Sequence, residues 1–388
     1  MISKWLKGIA AALALCVTIG LTGCSGETSA ESSSSDSSSS EEETVPVKVG
    51  FIFHEKADNG GVTGQFNHQR QKAARRCDVE TVYIEDVSVQ DFESAVKALV
   101  SDGCTEIVSC SPTFTNVLSS ISGRYMNVNF INYGATSLGT ANVFSYTETA
   151  YQGAYVAGIA AAYNSKSQKV GLVADPELLY TYATTNAAAM GVRMVFANGT
   201  LCVAGATENS EIKQAVDALL GEGCDVIISY TESPYTAEYC EQKGVKFIGN
   251  LDYTGSEDKY KNMLMYYYAK RDSLFVSQFK QLKMDSWEPD VYKGSMANGI
   301  INISQATPNA DKRTQDIIDE IVPLLTSGKA YIFSGEIKDT LGNVRYMQTD
   351  TMTEAQIYSM DWYVLGVQPV GNFRKPQESK PNTFEIKS

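Results

Sequence analysis

A stretch of 23 residues occurs twice in this chain, and this repeat constrains the fold more than any other feature of the sequence. Residues 92–114 (FESAVKALVSDGCTEIVSCSPTF) align with residues 212–234 (IKQAVDALLGEGCDVIISYTESP). Eight identical pairs lie 120 positions apart: Ala95/Ala215, Val96/Val216, Ala98/Ala218, Leu99/Leu219, Gly103/Gly223, Cys104/Cys224, Ile107/Ile227 and Ser109/Ser229. Neighbouring stretches repeat in the same order, so the sequence predicts two similar lobes.

Short apolar runs and amphipathic helices alternate through both copies. Buried strands are expected at 47–53, 81–84, 106–110, 128–132, 169–174, 200–203, 225–229 and 246–249. Helices are expected between them, at 66–76, 91–101, 116–124, 183–196, 211–220 and 235–243. Alternating strands and helices with short connections require right-handed crossovers and a parallel sheet. We therefore predict an α/β fold of two Rossmann-like lobes with parallel sheets, joined by a hinge.

The predicted domain organisation follows from this alternation and from shifts in composition. The segments are a signal peptide (1–23), a Ser/Glu-rich disordered tether (24–46), lobe 1 (47–148), lobe 2 (149–264) and a C-terminal tail (369–388). The pattern after residue 263 is less regular. We expect part of residues 265–300 to return to lobe 1 and much of residues 301–368 to return to lobe 2.

The first residues have the pattern of a sorting signal. Lys4 and Lys7 precede an apolar run at 9–21, which is too short to span a bilayer, and Leu-Thr-Gly-Cys follows at 21–24. A small residue pair directly before Cys24 is typical of a bacterial lipobox, in which the cysteine thiol is acylated. The alternative is an ordinary signal peptide with an incidental cysteine. The expected location is the extracytoplasmic face of a bacterial cell membrane, with contact to the membrane only through the lipid.

Composition and motifs exclude several functional classes. The formal net charge of −13 disfavours a nucleic-acid surface, because phosphate repels it. No P-loop, GxSxG, HExxH or CxxC motif occurs, so we predict no catalytic residue, no metal and no cofactor. The six cysteines after Cys24 are expected to be mainly buried apolar groups.

Open α/β sheets bind ligands beyond the carboxyl ends of their strands, and two facing lobes create a cleft there. The loops expected to line it are 53–66, 109–114, 132–136, 174–180, 229–235 and 249–253. Aromatic rings near carboxylates suit a flat, partly apolar ligand with hydroxyl groups. The candidate ligand-binding residues are Asp58, Phe66, Asn67, Ser111, Phe114, Glu232, Asp252 and Tyr268.

Several stretches resemble the basic membrane protein family of purine-nucleoside-binding lipoproteins, which serve ABC importers and have the type I periplasmic-binding fold. The turn at Asp58-Asn59-Gly60 followed by Phe66-Asn67 is similar to the family's FN element. The tail, with FSG at 333–335, IKD at 337–339 and MDWYV at 360–364, is similar to the C-terminal signature of one branch. The resemblance covers nearly all of residues 47–368.

The resemblance implies roles for four residues. Phe66 would stack on a purine, Asn67 would bond the purine's edge, Asp252 would hold a ribose, and Ser111 would lie in a contact loop of the first lobe. The sequence GVTGQ stands at 61–65, where that branch often has a Trp-rich loop. The identity of the ligand is therefore undecided between a nucleoside, a free nucleobase and another compound.

The expected function is a monomeric, lipid-anchored solute-binding protein that closes on a purine and delivers it to an ABC permease. Two alternatives use the same cleft. In a ligand-sensing surface receptor, the closed form reports the ligand to a signalling partner. A cell-surface nucleoside hydrolase could use Asp58 and Asp252 as its acid and base.

Overall fold

The computed structural model describes residues 47–134 and 139–371. The predicted signal peptide, the tether, Cys24 and most of the predicted C-terminal tail lie outside the described residues. Within them, no helix combines the length and the apolar character needed to cross a membrane.

The described part of the chain alternates strands and helices along most of its length. The strands are β1 (Lys48–Ile52), β2 (Glu80–Ile84), β3 (Glu106–Ser109), β4 (Asn129–Tyr133), β5 (Val143–Glu148), β6 (Lys169–Ala174), β7 (Thr200–Gly205), β8 (Val226–Tyr230), β9 (Lys246–Gly249), β10 (Met263–Ala269), β11 (Val291–Gly294), β12 (Ile301–Ile303), β13 (Ile337–Lys338), β14 (Val344–Tyr346) and β15 (Val367–Val370). The α-helices are α1 (Val62–Cys77), α2 (Phe92–Ser101), α3 (Thr115–Ile121), α4 (Ala150–Asn164), α5 (Thr181–Val195), α6 (Asn209–Gly221), α7 (Tyr235–Lys243), α8 (Asp272–Lys283), α9 (Lys312–Thr326) and α10 (Glu354–Tyr358).

Two large sheets form the two lobes. The first has the order β11-β5-β4-β3-β1-β2, and all of its strand pairs are parallel. The second has the order β12-β10-β9-β8-β6-β7-β15 and is parallel except for the pair of β10 with β12. The predicted α/β fold is therefore confirmed, with one antiparallel edge strand as a correction. β13 and β14 form a separate antiparallel hairpin in the tail.

The repeated stretch folds in the same way in both lobes. In α2, the apolar residues Phe92, Ala95, Val96 and Leu99 are all buried, because their spacing places them on one helix face. In α6, Ile212, Ala215, Val216 and Leu219 occupy the same positions and are buried too. Each helix thus covers its own sheet with this apolar face. Because both helices do so, the same spacing of apolar residues occurs in both copies of the repeat.

The small-residue helix α4 is buried on nearly all sides and packs along α5. A Cβ on Gly158 would lie 2.1 Å from the carbonyl oxygen of Ala188, and a Cβ on Gly191 would lie 2.2 Å from that of Tyr155. The two helix backbones are therefore in direct contact, which only glycine allows at these two positions.

Within the described residues, the chain crosses between the lobes three times, and these crossings lie next to one another in space. The crossings follow β5, β10 and β11, and they are joined by backbone hydrogen bonds. The N–H of Thr149 donates to Gly294 O at 2.8 Å, and the N–H of Lys270 donates to Ile300 O at 2.8 Å. After these crossings, α8 packs on α1 and β11 extends the first sheet, while β12 and β15 lie in the second. The crossings form the floor of the cleft.

Two local expectations need correction. Sequence analysis does not predict β5, although all six of its residues are buried. Polar Ser145, Thr147 and Glu148 alternate with apolar residues in this strand, so it lacks the continuous apolar run by which the other buried strands are recognised. The helix expected at 116–124 ends earlier, since α3 is followed by a 3-10 turn at Ser122–Arg124.

Candidate functional site

Two spaces lie between the lobes, at the sheet edge where sequence analysis places the cleft. The inner cavity measures about 50 Å³. Four of its lining residues are the last residues of their strands: Tyr133 of β4, Glu148 of β5, Tyr230 of β8 and Ala269 of β10. The carboxyl ends of the two sheets thus converge on one partly open space.

The outer pocket measures about 340 Å³ and opens beside α1. It is lined by Ala57, Asp58, Gly60, Gly64, Gln65, His68, Gln69, Asp252 and Thr254. Gln65 also lines the inner cavity, so this side chain separates the two spaces.

A buried ion pair forms one wall of the inner cavity. Arg271 is 3% exposed, and its Nη2 donates to Oε2 of Glu148 at 2.9 Å, while Nε lies against Oε1. The hydroxyl of Tyr146 donates to Oε1 of Glu148, and that of Tyr133 lies 3.4 Å from Oε2. Because Glu148 and Arg271 follow two different strands at the crossings, the pair joins the two hinge segments behind the cavity.

Aromatic rings flank the same guanidinium. Its central carbon lies 4.2 Å from the centroid of Phe66 and 5.6 Å from that of Tyr133. These distances are within the range of cation–π attraction, which is stronger when water is excluded. Arg271 is therefore held in one orientation by a carboxylate and by two rings.

Three carboxyl groups near the cavity are hard to ionise. Burial raises the pKa of Glu232 to about 8, and the negative charges of Glu55 and Asp175 add to the effect. Burial likewise raises the pKa of Asp175 to about 7 and shifts that of Glu55 upward. At neutral pH the Glu232 carboxyl is largely protonated, so it can donate a hydrogen bond as well as accept one.

Backbone contacts close the lobes over this space. The N–H of Val62, at the start of α1, donates to the carbonyl oxygen of Glu232 in lobe 2 at 2.8 Å. The Asn59 side chain positions this end of α1, since its Oδ1 accepts hydrogen bonds from the N–H groups of Gly61 at 2.9 Å and Gly64 at 3.0 Å. The Asp-Asn-Gly-Gly turn seen in the sequence thus sets the lobe-to-lobe contact.

Four of the predicted site residues lie at the two spaces. Glu232 and Tyr268 line the inner cavity. Asp58 and Asp252 are exposed and line opposite sides of the outer pocket, where Asp252 accepts a hydrogen bond from the Thr254 N–H at 3.0 Å. Their roles in binding stay predictions.

The other four do not line either space. Phe66 is fully buried beneath Arg271, and Asn67 donates to Ala57 O at 3.2 Å. Ser111 is buried and accepts a hydrogen bond from the N–H of Thr113 at 3.4 Å. Phe114 is fully buried in the lobe 1 core, stacked on Phe92 with ring centroids 4.6 Å apart. The geometry supports structural roles for these four, and ligand contact stays a prediction for each.

Sequence reasoning did not name seven other polar or aromatic residues that line the inner cavity, although Gln65, Tyr133, Tyr230 and Asn250 lie in loops that it expected to line the cleft. The seven are Gln65, Glu148, Asn250 and Arg271, together with the rings of Tyr133, Tyr230 and Tyr267. Glu148 was missed because β5 was missed. The sequence does contain a pattern that could have identified Arg271. This charged residue lies only two positions after the end of a buried strand of seven residues.

Comparison with known proteins identifies the family. Residues 46–339 match the model of the Bmp family, described as ABC transporter substrate-binding protein, PnrA-like. The chain belongs to this family. The predicted membership of this family is thereby confirmed, as is the type I periplasmic-binding fold, while residues 360–364 of the tail lie beyond the matched range. Substrate-binding proteins of ABC transporters act outside the cytoplasm, bind a small molecule and an ABC permease, and are typically not enzymes.

Individual relatives are more distant. A purine-binding protein of Brucella abortus is 24% identical over 332 residues, covering 83% of this chain and 93% of that protein. A protein of Haloferax volcanii, named as an ABC transporter glucose-binding protein, is 24% identical over 277 residues, covering 70% of each chain. The crystal structure of an ABC transporter solute-binding protein from Aeropyrum pernix has a TM-score of 0.64 at 16% identity, covering 76% of this chain and 93% of that one.

Proposed function

We propose that this Bmp-family protein binds a purine between its lobes and presents it to an ABC permease. The observation that carries the proposal is the inner cavity, which combines tyrosine rings with polar groups from both lobes. Flat aromatic ligands stack on such rings, and the polar groups satisfy the ring nitrogens and exocyclic groups of a base. The Brucella relative, whose name describes purine binding, supports the same ligand class.

The size of the inner cavity requires the lobes to move. Its 50 Å³ is well below the roughly 150 Å³ of a cavity that holds benzene, so a purine can enter only when the lobes separate, and the side chain of Gln65 between the two spaces must move to make room for it when they close again. Hinge motion at the three crossings supplies that separation, and the ligand then selects a closed form that fits it.

A nucleoside would use both spaces. With its base in the inner cavity, its ribose would pass Gln65 and reach the outer pocket, where Asp58 and Asp252 offer carboxylate oxygens. A hydrogen bond from a sugar hydroxyl to a carboxylate contributes about 1.5–3 kcal/mol. Asp252→Ala should therefore weaken nucleoside binding about tenfold or more and leave binding of the free base nearly unchanged. Asp258→Ala, an acid of the same lobe outside both spaces, is the matched control.

Titration calorimetry with hypoxanthine, adenine, inosine, adenosine and glucose tests the ligand class. Saturable binding of at least one purine, with glucose inert, is the expected result. Binding of glucose alone, or of no purine, would refute the proposal. Mass spectrometry of small molecules that co-purify with the protein gives an independent answer.

We further propose that Cys24 carries the lipid that holds the protein at the membrane. The Lys4, Lys7 and Leu-Thr-Gly-Cys pattern supports it. Expression of the full chain in a bacterium should place it in the membrane fraction, and Cys24→Ala should release it or leave its leader uncleaved. An unchanged membrane location of processed Cys24→Ala would contradict the anchor.

One observation keeps a hydrolase as a second candidate, because Asp58 and Asp252 do face the same outer pocket. Chromatography of inosine incubated with the protein decides between them. Stoichiometric binding with intact inosine supports a binding protein, whether it serves transport or sensing. Hypoxanthine released over many turnovers would support the hydrolase.

A further inference from the structure

Three buried polar atoms of residues that line the inner cavity make no hydrogen bond to the described residues: Nη1 and Nε of Arg271, of which Nε is ion-paired with Glu148, and Oδ1 of Asn250. None of the residues that the structure describes accepts a hydrogen bond from Nη1 of Arg271, although this atom is buried. The other end of the guanidinium is engaged by Glu148. A buried, charged donor without an acceptor is costly, and in a binding cavity such a group is commonly completed by the ligand.

The direction in which Nη1 points is fixed before any ligand arrives. Glu148 holds Nε and Nη2, the hydroxyl of Tyr146 holds Glu148, and the ring of Phe66 lies 4.2 Å from the guanidinium carbon. An arginine offers five N–H donors and no acceptor, and it stays charged. The cavity therefore presents a preorganised cationic donor to whatever occupies it.

We propose that Nη1 of Arg271 binds an acceptor at position 6 of the purine, and that this site selects 6-oxopurines over 6-aminopurines. The inference rests on the proposed function, namely that the ligand is a purine. A 6-oxopurine presents two adjacent acceptors, O6 and N7, whereas adenine presents N7 beside the N6 amino donor. Against a cationic donor, the amino group meets a second donor and leaves both unpaired.

The two lobes divide the recognition between them in this arrangement. Arg271 would bind the acceptor of the purine from the hinge side of the cavity, and Glu232 lines the same cavity from the opposite lobe. Arg70 offers a contrast within the chain. It is also buried, at 2% exposure, but its guanidinium bonds Thr81 and Asn67 within lobe 1 and does not line either space.

The test compares dissociation constants of hypoxanthine, unsubstituted purine and adenine by titration calorimetry. The wild-type protein should bind hypoxanthine about tenfold or more tightly than adenine, with purine between them, which corresponds to about 1.4 kcal/mol. Arg271→Lys keeps the buried positive charge beside Glu148 but removes the planar guanidinium and its Nη1 donor. The preference for hypoxanthine over adenine should therefore fall to threefold or less. Arg70→Lys, the matched control, should keep the full preference.

The outcomes distinguish an error in the role assigned to Arg271 from an error in the proposed purine-binding function. If the wild-type protein binds adenine as tightly as hypoxanthine, or if Arg271→Lys keeps the preference, the assignment of Arg271 is wrong while purine binding stands. If no purine binds, both the proposed function and this inference are wrong. Should Arg271→Lys not fold, as circular dichroism would show, the order of the three ligands on the wild-type protein decides alone.

Discussion

Replacing Gly61 by alanine should hold the lobes apart and weaken ligand binding without weakening either lobe. A Cβ added to Gly61 would lie 2.1 Å from the carbonyl oxygen of Glu232, across the cleft. The backbone at Gly61, with φ −91° and ψ −154°, is extended and suits alanine equally well. The substitution therefore acts on the contact between lobes and not on the local backbone.

The magnitude follows from the same distances. A Cβ needs at least 3.0 Å, so the two backbones must separate by about 0.9 Å. That shift lengthens the Val62–Glu232 hydrogen bond from 2.8 Å to about 3.7 Å, which breaks it. The net loss is about 0.5–1.5 kcal/mol for this bond, with further loss from packing around the inner cavity. A closed form destabilised by about 1.5–3 kcal/mol raises the apparent Kd roughly 10–150-fold.

Calorimetry with the tightest-binding purine measures the Kd, and small-angle X-ray scattering with saturating ligand reports whether the lobes close. Gly221→Ala is the matched control, because a Cβ at Gly221 meets nothing within 4 Å. Gly61→Ala should keep the thermal midpoint of the unliganded protein within a few degrees of the wild type. Wild-type affinity and full closure in Gly61→Ala would refute the idea that this contact governs closure.

Three further predictions concern stability. The carboxyl of Glu106 is fully buried, none of the described residues bonds it, and burial raises its pKa well above the usual range. The folded state therefore keeps this carboxyl protonated while the unfolded state ionises above about pH 4, so the stability is lost as pH rises from there towards the folded-state pKa; Glu106→Gln should gain thermal stability over the wild type between pH 5 and pH 8, and parallel melting curves would contradict this. Asn186→Leu should lower the free energy of unfolding, measured in urea, by about 2–4 kcal/mol. The substitution leaves Trp362 O and Val364 N, each bonded to Asn186 at 2.9 Å, without their partner, and an unchanged urea midpoint would contradict this prediction. Phe114→Ala should cost about 3–5 kcal/mol yet leave purine affinity within twofold, and a specific loss of affinity would restore Phe114 as a ligand contact.

The sequence predicted the elements that depend on local pattern. The strands and helices of the two repeated stretches lie where their apolar spacing places them, within a few residues. The cleft between the lobes also followed, because the carboxyl ends of parallel strands share one edge. β5 was not predicted because its polar residues, among them Glu148, are buried by neighbouring strands and by Arg271, which lies 123 positions away and outside any local window.

Side-chain direction was beyond the reach of the sequence. Phe114 follows the end of β3 and was expected at the cleft, but the 3-10 turn at Pro112–Phe114 directs its ring into the lobe 1 core. Glu232 lies in the corresponding loop after β8, two residues before the equivalent of Phe114, and does line the inner cavity. The two copies of the repeat thus end in loops of different geometry, and their residue types alone do not reveal it.

By itself, the sequence determined that the chain forms two α/β lobes with a cleft between them, because periodicity, turn residues and an internal repeat are local properties. Only the tertiary structure decided what the cleft contains. Arg271 meets Glu148 across 123 positions of sequence, and Val62 meets Glu232 across the two lobes. These contacts depend on how the three crossings bring distant strand ends together, and hydrogen-bond geometry then decides which of the many polar loop residues line the inner cavity.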